Sequence, residues 1–298
     1  MTAPRQILPG TTYLVTRRCS ERRFFLRPSP ITNAIFLYVL AVAARRHHVQ
    51  VHAFCVMSNH YHLLVTDTDA RLPAFMQYLD SLVARATNSS LGRWEGFWSS
   101  ETSYSAVSHD ATDDIVRKLA YVLTNPVSAG LVRAGRDWPG LWTAPEHLGA
   151  ATMTAPRPKV FFSPNGGMPA SVELALTVPP GFSSTEELQQ LVATAVREVE
   201  ERNRRDREGK RGFLGRARVL AQNAFARPAP GEARRQLNPR AAAADTPLRI
   251  AALARLKIFL EEYRSAWKAR RSGNGDVLFP AGTYQLRIEH GVRCAAPA

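Results

Sequence analysis

The chain has 298 residues, 45% of them hydrophobic, with 39 Lys and Arg against 25 Asp and Glu and a net charge of +14. That length suits one large or two modest domains, and the positive excess points to a polyanionic partner, with nucleic acid first. Cys19, Cys55 and Cys294 are odd in number and widely spaced, which argues against a disulfide framework or a structural zinc site and fits a reducing cytoplasm.

Residues 1–6 have no apolar core, so no secretory leader is expected. The longest apolar stretch, 31–44, is too short to span a bilayer, and no membrane association is expected. Of the 39 basic residues, 24 lie in 150–298, so the second half is the stronger electrostatic footprint.

In chain order, residues 11–16 are β-branched and aromatic and predict a strand. Arg17, Arg18, Arg22, Arg23 and Arg27 follow, interleaved with Phe24 and Phe25. That mixture suits single-stranded nucleic acid, where bases stack and phosphates pair; an ordinary loop anchored by two core phenylalanines explains it equally well. Pro30 opens a helix to about Arg46. Strands at 49–57 and 62–66 flank the turn-forming pair Ser58-Asn59 and predict a hairpin. A helix at 72–90 carries Leu72, Phe75, Met76, Leu79, Val83 and Ala86 at helical spacing. A further strand is expected through 99–107.

The resulting order, β-α-β-β-α-β, predicts a ferredoxin-like α+β unit. It has an antiparallel sheet, both helices on one face and the other face open for a site. A helix at 113–124, capped by Asp110 or Thr112, adds to it, followed by a break at Asn125-Pro126 and a short helix to about Val132. The expected domains are 1–149, a linker at 150–183 holding a strand or two, and a mainly helical basic region at 184–298. That last region has helices at 184–208, 216–225 and 247–271 and a turn or hairpin after Asp276.

Two constellations carry chemistry. In His60-Tyr61-His62, strand alternation places both imidazoles on one face and Tyr61 on the other. Two adjacent imidazoles make half of a metal site, although a bare His-x-His is more often structural. On the helix at 113–124, Ile115, Val116, Leu119, Val122 and Leu123 form the apolar face. Tyr121 stands opposite them with Arg117, Lys118 and Asn125 nearby. A phenol among cationic and amide groups is what attack on a phosphate requires. Asn125 before Pro126 also has the signature of an N-cap for a following helix.

Met57-Ser58-Asn59-His60-Tyr61-His62-Leu63-Leu64-Val65, followed by Tyr121-Val122-Leu123-Thr124-Asn125-Pro126-Val127-Ser128-Ala129-Gly130, resembles the REP-associated tyrosine transposases. These are single-tyrosine members of the HUH endonuclease superfamily. The resemblance covers about residues 8–145 and departs at Ser128, where the family usually has Arg.

It implies an added catalytic-tyrosine helix with Tyr121 as nucleophile, and His60, His62 and Asn125 holding Mg²⁺ or Mn²⁺. Arg17, Arg18, Arg22, Arg23, Arg117 and Lys118 are then the candidate DNA contacts. The implied reaction is cleavage and rejoining of single-stranded or hairpin DNA through a 5′-phosphotyrosine. An ordinary phenol titrates near pH 10, so the nucleophile needs metal or cationic help. A bacterial, nucleoid-associated location would follow; the oligomeric state, monomer or homodimer, does not.

Two other functions fit the same residues. One is a catalytically silent DNA- or RNA-binding protein on this fold. The other is a His-x-His metallohydrolase, which would need Asp or further His ligands; Asp67 and Asp69 are near in sequence but past the strand end. In the C-terminal region, Arg202, Arg204, Arg205, Arg207, Lys210 and Arg211 form a cluster that suits a DNA clamp, or simply a solvated helix face.

Overall fold

The computed structural model describes residues 4–100, 103–210, 212–229 and 239–297. Strands β1 (Thr11–Arg18), β2 (Val49–Val56), β3 (His60–Asp67) and β4 (Ser105–Ser108) alternate with α1 (Pro30–His47) and α2 (Leu72–Ser90) in the predicted order. The sheet order is β2-β3-β1-β4, and every neighbouring pair is antiparallel. This is the ferredoxin-like split unit, with the histidine-bearing strand β3 in the interior of the sheet.

Alternation along β3 sorts its side chains between two cores. Tyr61, Leu63 and Val65 pack beneath α1 and α2, whereas Leu64 packs on the opposite face with Ala53, Cys55 and Met57. Ser29 opens α1, its hydroxyl accepting from the Thr32 N–H ahead of Pro30. The first turn of α2 is capped from the end of β3. The Asp67 carboxylate accepts from the Arg71 and Leu72 N–H groups at 2.8 and 2.7 Å.

The expectation of an open second sheet face is corrected. Helix α3 (Thr112–Ser128) covers it, setting Ile115, Leu119, Val122 and Leu123 against Ala53, Cys55 and Leu64. The break expected at Asn125-Pro126 is also corrected, because α3 runs through both residues. Pro126 has no N–H for the Val122 carbonyl, but the packed apolar face holds the helix across that missing bond. Its N-cap is Ala111, with no side-chain cap bond, rather than Asp110 or Thr112. Gly130 ends the helix at φ +72, where its N–H reaches the Val127 carbonyl.

Strand β4 is shorter than expected. The chain before it is used elsewhere, as Ser99 N–H bonds to the Arg18 carbonyl and Cys19 bridges Trp98 beyond the end of β1. Residues 101 and 102 of the expected strand lie outside the described residues.

Segment 150–183 holds an antiparallel hairpin, β5 (Thr152–Pro156) and β6 (Ser171–Ala175). Ala155, Val172 and Leu174 enter the same core as α1, and the Tyr38 hydroxyl donates to the Pro169 carbonyl at 2.6 Å. This is why α1 is apolar nearly all round. It is covered by the sheet on one side and by the hairpin on another.

Helix α4 (Thr185–Arg207) starts at Ser184 and lays Leu188, Val192 and Val196 into the core beside α3. After it come α5 (Arg216–Leu220), α6 (Thr246–Arg271) and α7 (Gln285–His290). Of the turn or hairpin expected after Asp276, a turn forms at residues 281–282 and α7 follows it, enclosed by a parallel bridge between Phe279 and Cys294. Among the described residues no helix is long and apolar enough to cross a membrane.

His52 is buried between two walls of this fold. Its Nδ1 lies 2.8 Å from the Thr177 carbonyl and its Nε2 2.7 Å from the Thr66 hydroxyl. Burial pushes its pKa down to about 4, opposed by the Thr177 carbonyl. Unfolding restores an ordinary value near 6.5. Between pH 6.5 and 4 the unfolded chain therefore binds a proton that the folded chain refuses, and this residue's contribution is lost as pH falls.

Relative to His52→Gln, the wild type should lose about 3 kcal/mol of stability between pH 7 and pH 4. Urea titrations of the two proteins in parallel measure that difference. An unchanging gap across the range would show that His52 is not neutral in the native state.

Candidate active site

The hairpin β2–β3 turns in two residues, Ser58 and Asn59, with the Met57 N–H on the His60 carbonyl at 2.8 Å. His60 is therefore the first residue of β3, and His62 the next on the same face. Their rings meet edge-on with centroids 4.8 Å apart.

Helix α3 crosses this face and brings Tyr121 to His62, ring centroids 5.1 Å apart at 72°. Asn125, one turn further along α3, hydrogen-bonds the His60 side chain. Residues about 60 positions apart in sequence thus form one cluster. His62 is 3% exposed and Asn125 8%, whereas Tyr121 is 44% exposed. The cluster has a buried floor and an accessible phenol.

The position of Asn125 excludes the capping role. It lies in the interior of α3, its carbonyl already accepting from the Ala129 N–H. Its side chain is directed at the histidines by helical geometry.

Two residues that sequence reasoning passed over orient the imidazoles. The Asn59 side-chain N–H₂ donates to the Arg22 carbonyl at 3.1 Å, which leaves its Oδ1 for His60 Nδ1 at 2.7 Å. An amide oxygen only accepts, so His60 carries its proton on Nδ1 and keeps the Nε2 lone pair. Thr16, directly opposite His62 in the β1–β3 register, places its hydroxyl 2.8 Å from His62 Nδ1. His62 Nε2 is buried with no hydrogen-bond partner among the described residues. Strand pairing was the signal for Thr16, and it is not readable until the register is known.

Both imidazoles are held neutral. Burial first, then the Arg18 guanidinium, pushes His60 down to about 4. Burial, then His60, then Arg18 pushes His62 well below its ordinary value. Two neutral rings, each with Nδ1 tethered to an outer partner, are a donor pair of the kind that a divalent metal uses. Among the described residues no cluster of three His, Cys, Asp or Glu side chains occurs. The further donor against His60 is the Asn125 amide. The residues present therefore fit a hard-to-intermediate divalent cation, with imidazole favouring Mn²⁺ over Mg²⁺.

The expected DNA-contact residues divide. Arg18 is exposed and pairs in register with His60. Arg117 is exposed one turn before Tyr121, and burial first, then the Lys118 charge, pushes His109 down to about 4. Arg22 is half-buried, and Arg23 is ion-paired with Glu21 at 2.8 Å.

Arg17 is corrected. Alternation turns it to the opposite sheet face, where its Nε lies 3.6 Å from Asp80 Oδ2, and it is not at the surface with Arg18. Phe25 is a core residue, packed 5.4 Å from Phe97 with Arg93 over its ring at 3.9 Å.

The carboxylates of the metallohydrolase reading are engaged at the other end of β3. Asp67 caps α2, and Asp69 lies 2.8 Å from His48. Neither joins the histidine pair.

Fold and site together define the class: an α+β domain whose antiparallel sheet carries a histidine pair faced by a tyrosine and an asparagine from one helix. Residues 10–122 match the family described as transposase IS200 like. Three solved structures are similar to parts of the chain.

One is a REP-associated tyrosine transposase bound to a REP hairpin, with 18% identity and TM-score 0.40, covering 47% of this chain and 81% of that one. Another is described as a transposase from Deinococcus radiodurans, with 20% identity and TM-score 0.30, covering 41% and 95%. A third is tRNA(His) guanylyltransferase from Saccharomyces cerevisiae, with 10% identity and TM-score 0.33, covering 43% and 64%. At these scores the likenesses carry no functional weight. No curated protein matches the chain significantly.

Proposed function

We propose that this protein is a metal-dependent single-stranded DNA endonuclease and strand transferase acting on hairpin-type DNA. The observation that supports this most is the approach of Tyr121 to His62, with Asn125 on His60, across two elements remote in sequence.

His60, His62 and Asn125 would hold Mg²⁺ or Mn²⁺. When bound, the ion would supply charge neutralisation at the scissile phosphate. The Tyr121 oxygen forms a bond to phosphorus as the bond from phosphorus to the 3′-oxygen breaks. The phenolic proton is lost to solvent and the leaving 3′-oxygen takes one up. The product is a 5′-phosphotyrosine with a free 3′-OH. Attack by a second 3′-OH reverses the step and joins strands without an external energy source. Arg18 and Arg117 flank this position and balance the charge of the phosphate.

The test is mass spectrometry of the protein after incubation with single-stranded hairpin DNA and Mn²⁺. A covalent nucleotide adduct on the Tyr121 peptide, lost when EDTA replaces the metal, is expected. An adduct on another residue, or cleavage without an adduct, would overturn the proposed mechanism. Binding without cleavage under all metals would favour the silent nucleic-acid-binding alternative.

A further inference from the structure

The two halves of the candidate site are tied together by a stretch of the C-terminal region. Residues 213–227 start at the end of α3, where Leu214 and Gly215 N–H groups donate to the Gly130 and Leu131 carbonyls at 2.9 and 2.8 Å. The stretch then passes the histidine hairpin, where the Ser58 hydroxyl donates to the Gln222 side-chain carbonyl at 2.7 Å. It ends on the basic loop after β1. There the Phe24 N–H donates to the Ala226 carbonyl, and Arg23 and Arg27 donate to the Phe225 and Leu220 carbonyls at 2.7 and 3.0 Å. Val219 and Ala224 are buried beneath it.

On its outer side the stretch presents an unusual combination. Phe225 is 48% exposed although its ring edge rests on Phe25, centroids 6.3 Å apart at 78°. Arg218 and Arg227 are exposed on either side of it in sequence, and Arg23 and Arg27 reach it from the loop. Glu21 pairs with Arg23 and lies 3.7 Å from Arg227, so two of these arginines share one carboxylate. An aromatic face kept half in water by a rigid backing, and bordered by surplus arginines, suits an unpaired base with its flanking phosphates.

We propose that residues 213–227 form a second wall of the DNA path. Phe225 would stack an unpaired base, and Arg218 and Arg227, with Arg23 and Arg27, would hold the neighbouring phosphates. This rests on the reading of the protein as a single-stranded DNA enzyme. It adds that the C-terminal region contributes a defined base-stacking position beside the histidine hairpin.

Fluorescence anisotropy with a labelled single-stranded oligonucleotide, together with adduct formation at Tyr121, tests it in the full-length protein. Phe225→Leu keeps the apolar contact with Phe25 but removes the stacking face. It should weaken binding about five- to a hundredfold. Phe225→Trp should bind at least as tightly as wild type. The double variant Arg218→Ala/Arg227→Ala should weaken binding and flatten its salt dependence by about one to two in log–log slope.

Wild-type affinity in Phe225→Leu would make the ring a packing element only and overturn the proposal. So would an unchanged salt slope in the arginine variant, or a preference for RNA with no DNA binding. If the wild type itself forms an adduct but Phe225→Leu binds normally, only the second wall fails. If the wild type neither binds nor forms an adduct, the enzymatic reading fails with it.

Discussion

Tyr121→Phe should abolish covalent adduct formation and strand cleavage, with a rate loss of at least about a thousandfold, while leaving DNA affinity within about twofold of wild type. The substitution removes one oxygen from a ring that is 44% exposed. The ring's contact with His62, 5.1 Å between centroids, is retained by Phe. What is lost is the only atom that forms the bond to phosphorus in the proposed reaction.

Single-turnover cleavage of a labelled hairpin, with affinity measured in parallel, separates the two effects. Cleavage by the Phe variant at the wild-type rate would assign the nucleophile to water or to another tyrosine. His60→Ala and His62→Ala should also lose cleavage, but Mn²⁺ at high concentration should partly restore the former, because Asn125 remains beside its position.

Asp80→Ala should destabilise the protein by about 3–5 kcal/mol, the range found when one partner of a buried ion pair is removed. Asp80 lies on α2, beneath the sheet face opposite the histidines. Its Oδ1 accepts from the Tyr61 hydroxyl at 2.6 Å, and its Oδ2 is 3.6 Å from Arg17 Nε. Burial raises its pKa to about 7, opposed by Tyr61 and then Arg17. The carboxylate is thus costly to hold charged, yet both of its partners depend on it. Removing it leaves the Tyr61 hydroxyl without its acceptor and takes the carboxylate from beside Arg17.

Asp80→Asn keeps an oxygen for Tyr61 and should cost no more than about 1–2 kcal/mol. Urea denaturation at pH 7 distinguishes the two variants. Equal losses would indicate that volume, not pairing, holds this position. Tyr61 separates His60 from His62 in sequence, so the Ala variant should also reduce cleavage although Asp80 touches neither histidine.

Much of the site was readable from residue spacing. The period of two in His60-Tyr61-His62 placed the imidazoles together, because strand geometry imposes it regardless of context. The period of 3.6 placed Arg117, Tyr121 and Asn125 on one stripe of a helix. The boundaries of α2 follow from its apolar stripe, as the structure has them.

Other features were not readable because they depend on which element lies opposite. Thr16 orients His62 only through the β1–β3 register, and Asn59 orients His60 only because the Arg22 carbonyl claims its N–H₂. Arg17 and Arg18 look alike in sequence, but alternation sends one to Asp80 and leaves the other exposed beside His60. Asn125-Pro126 carries a helix-start signature, but packing of Val122, Leu123 and Val127 keeps α3 continuous across it.

The sequence by itself determined the split β-α-β-β-α-β order, the basic character and the two chemistry-bearing stretches. These follow from local periodicity and composition. Only the tertiary structure decided that α3 closes the sheet's second face. That packing carries Tyr121 and Asn125 to the histidine pair and sets Asn125 in the interior of α3 rather than at a helix start. The wrapping of residues 213–227 across both motifs was likewise decided there, since contacts between distant segments follow from shape and burial, which no local pattern encodes.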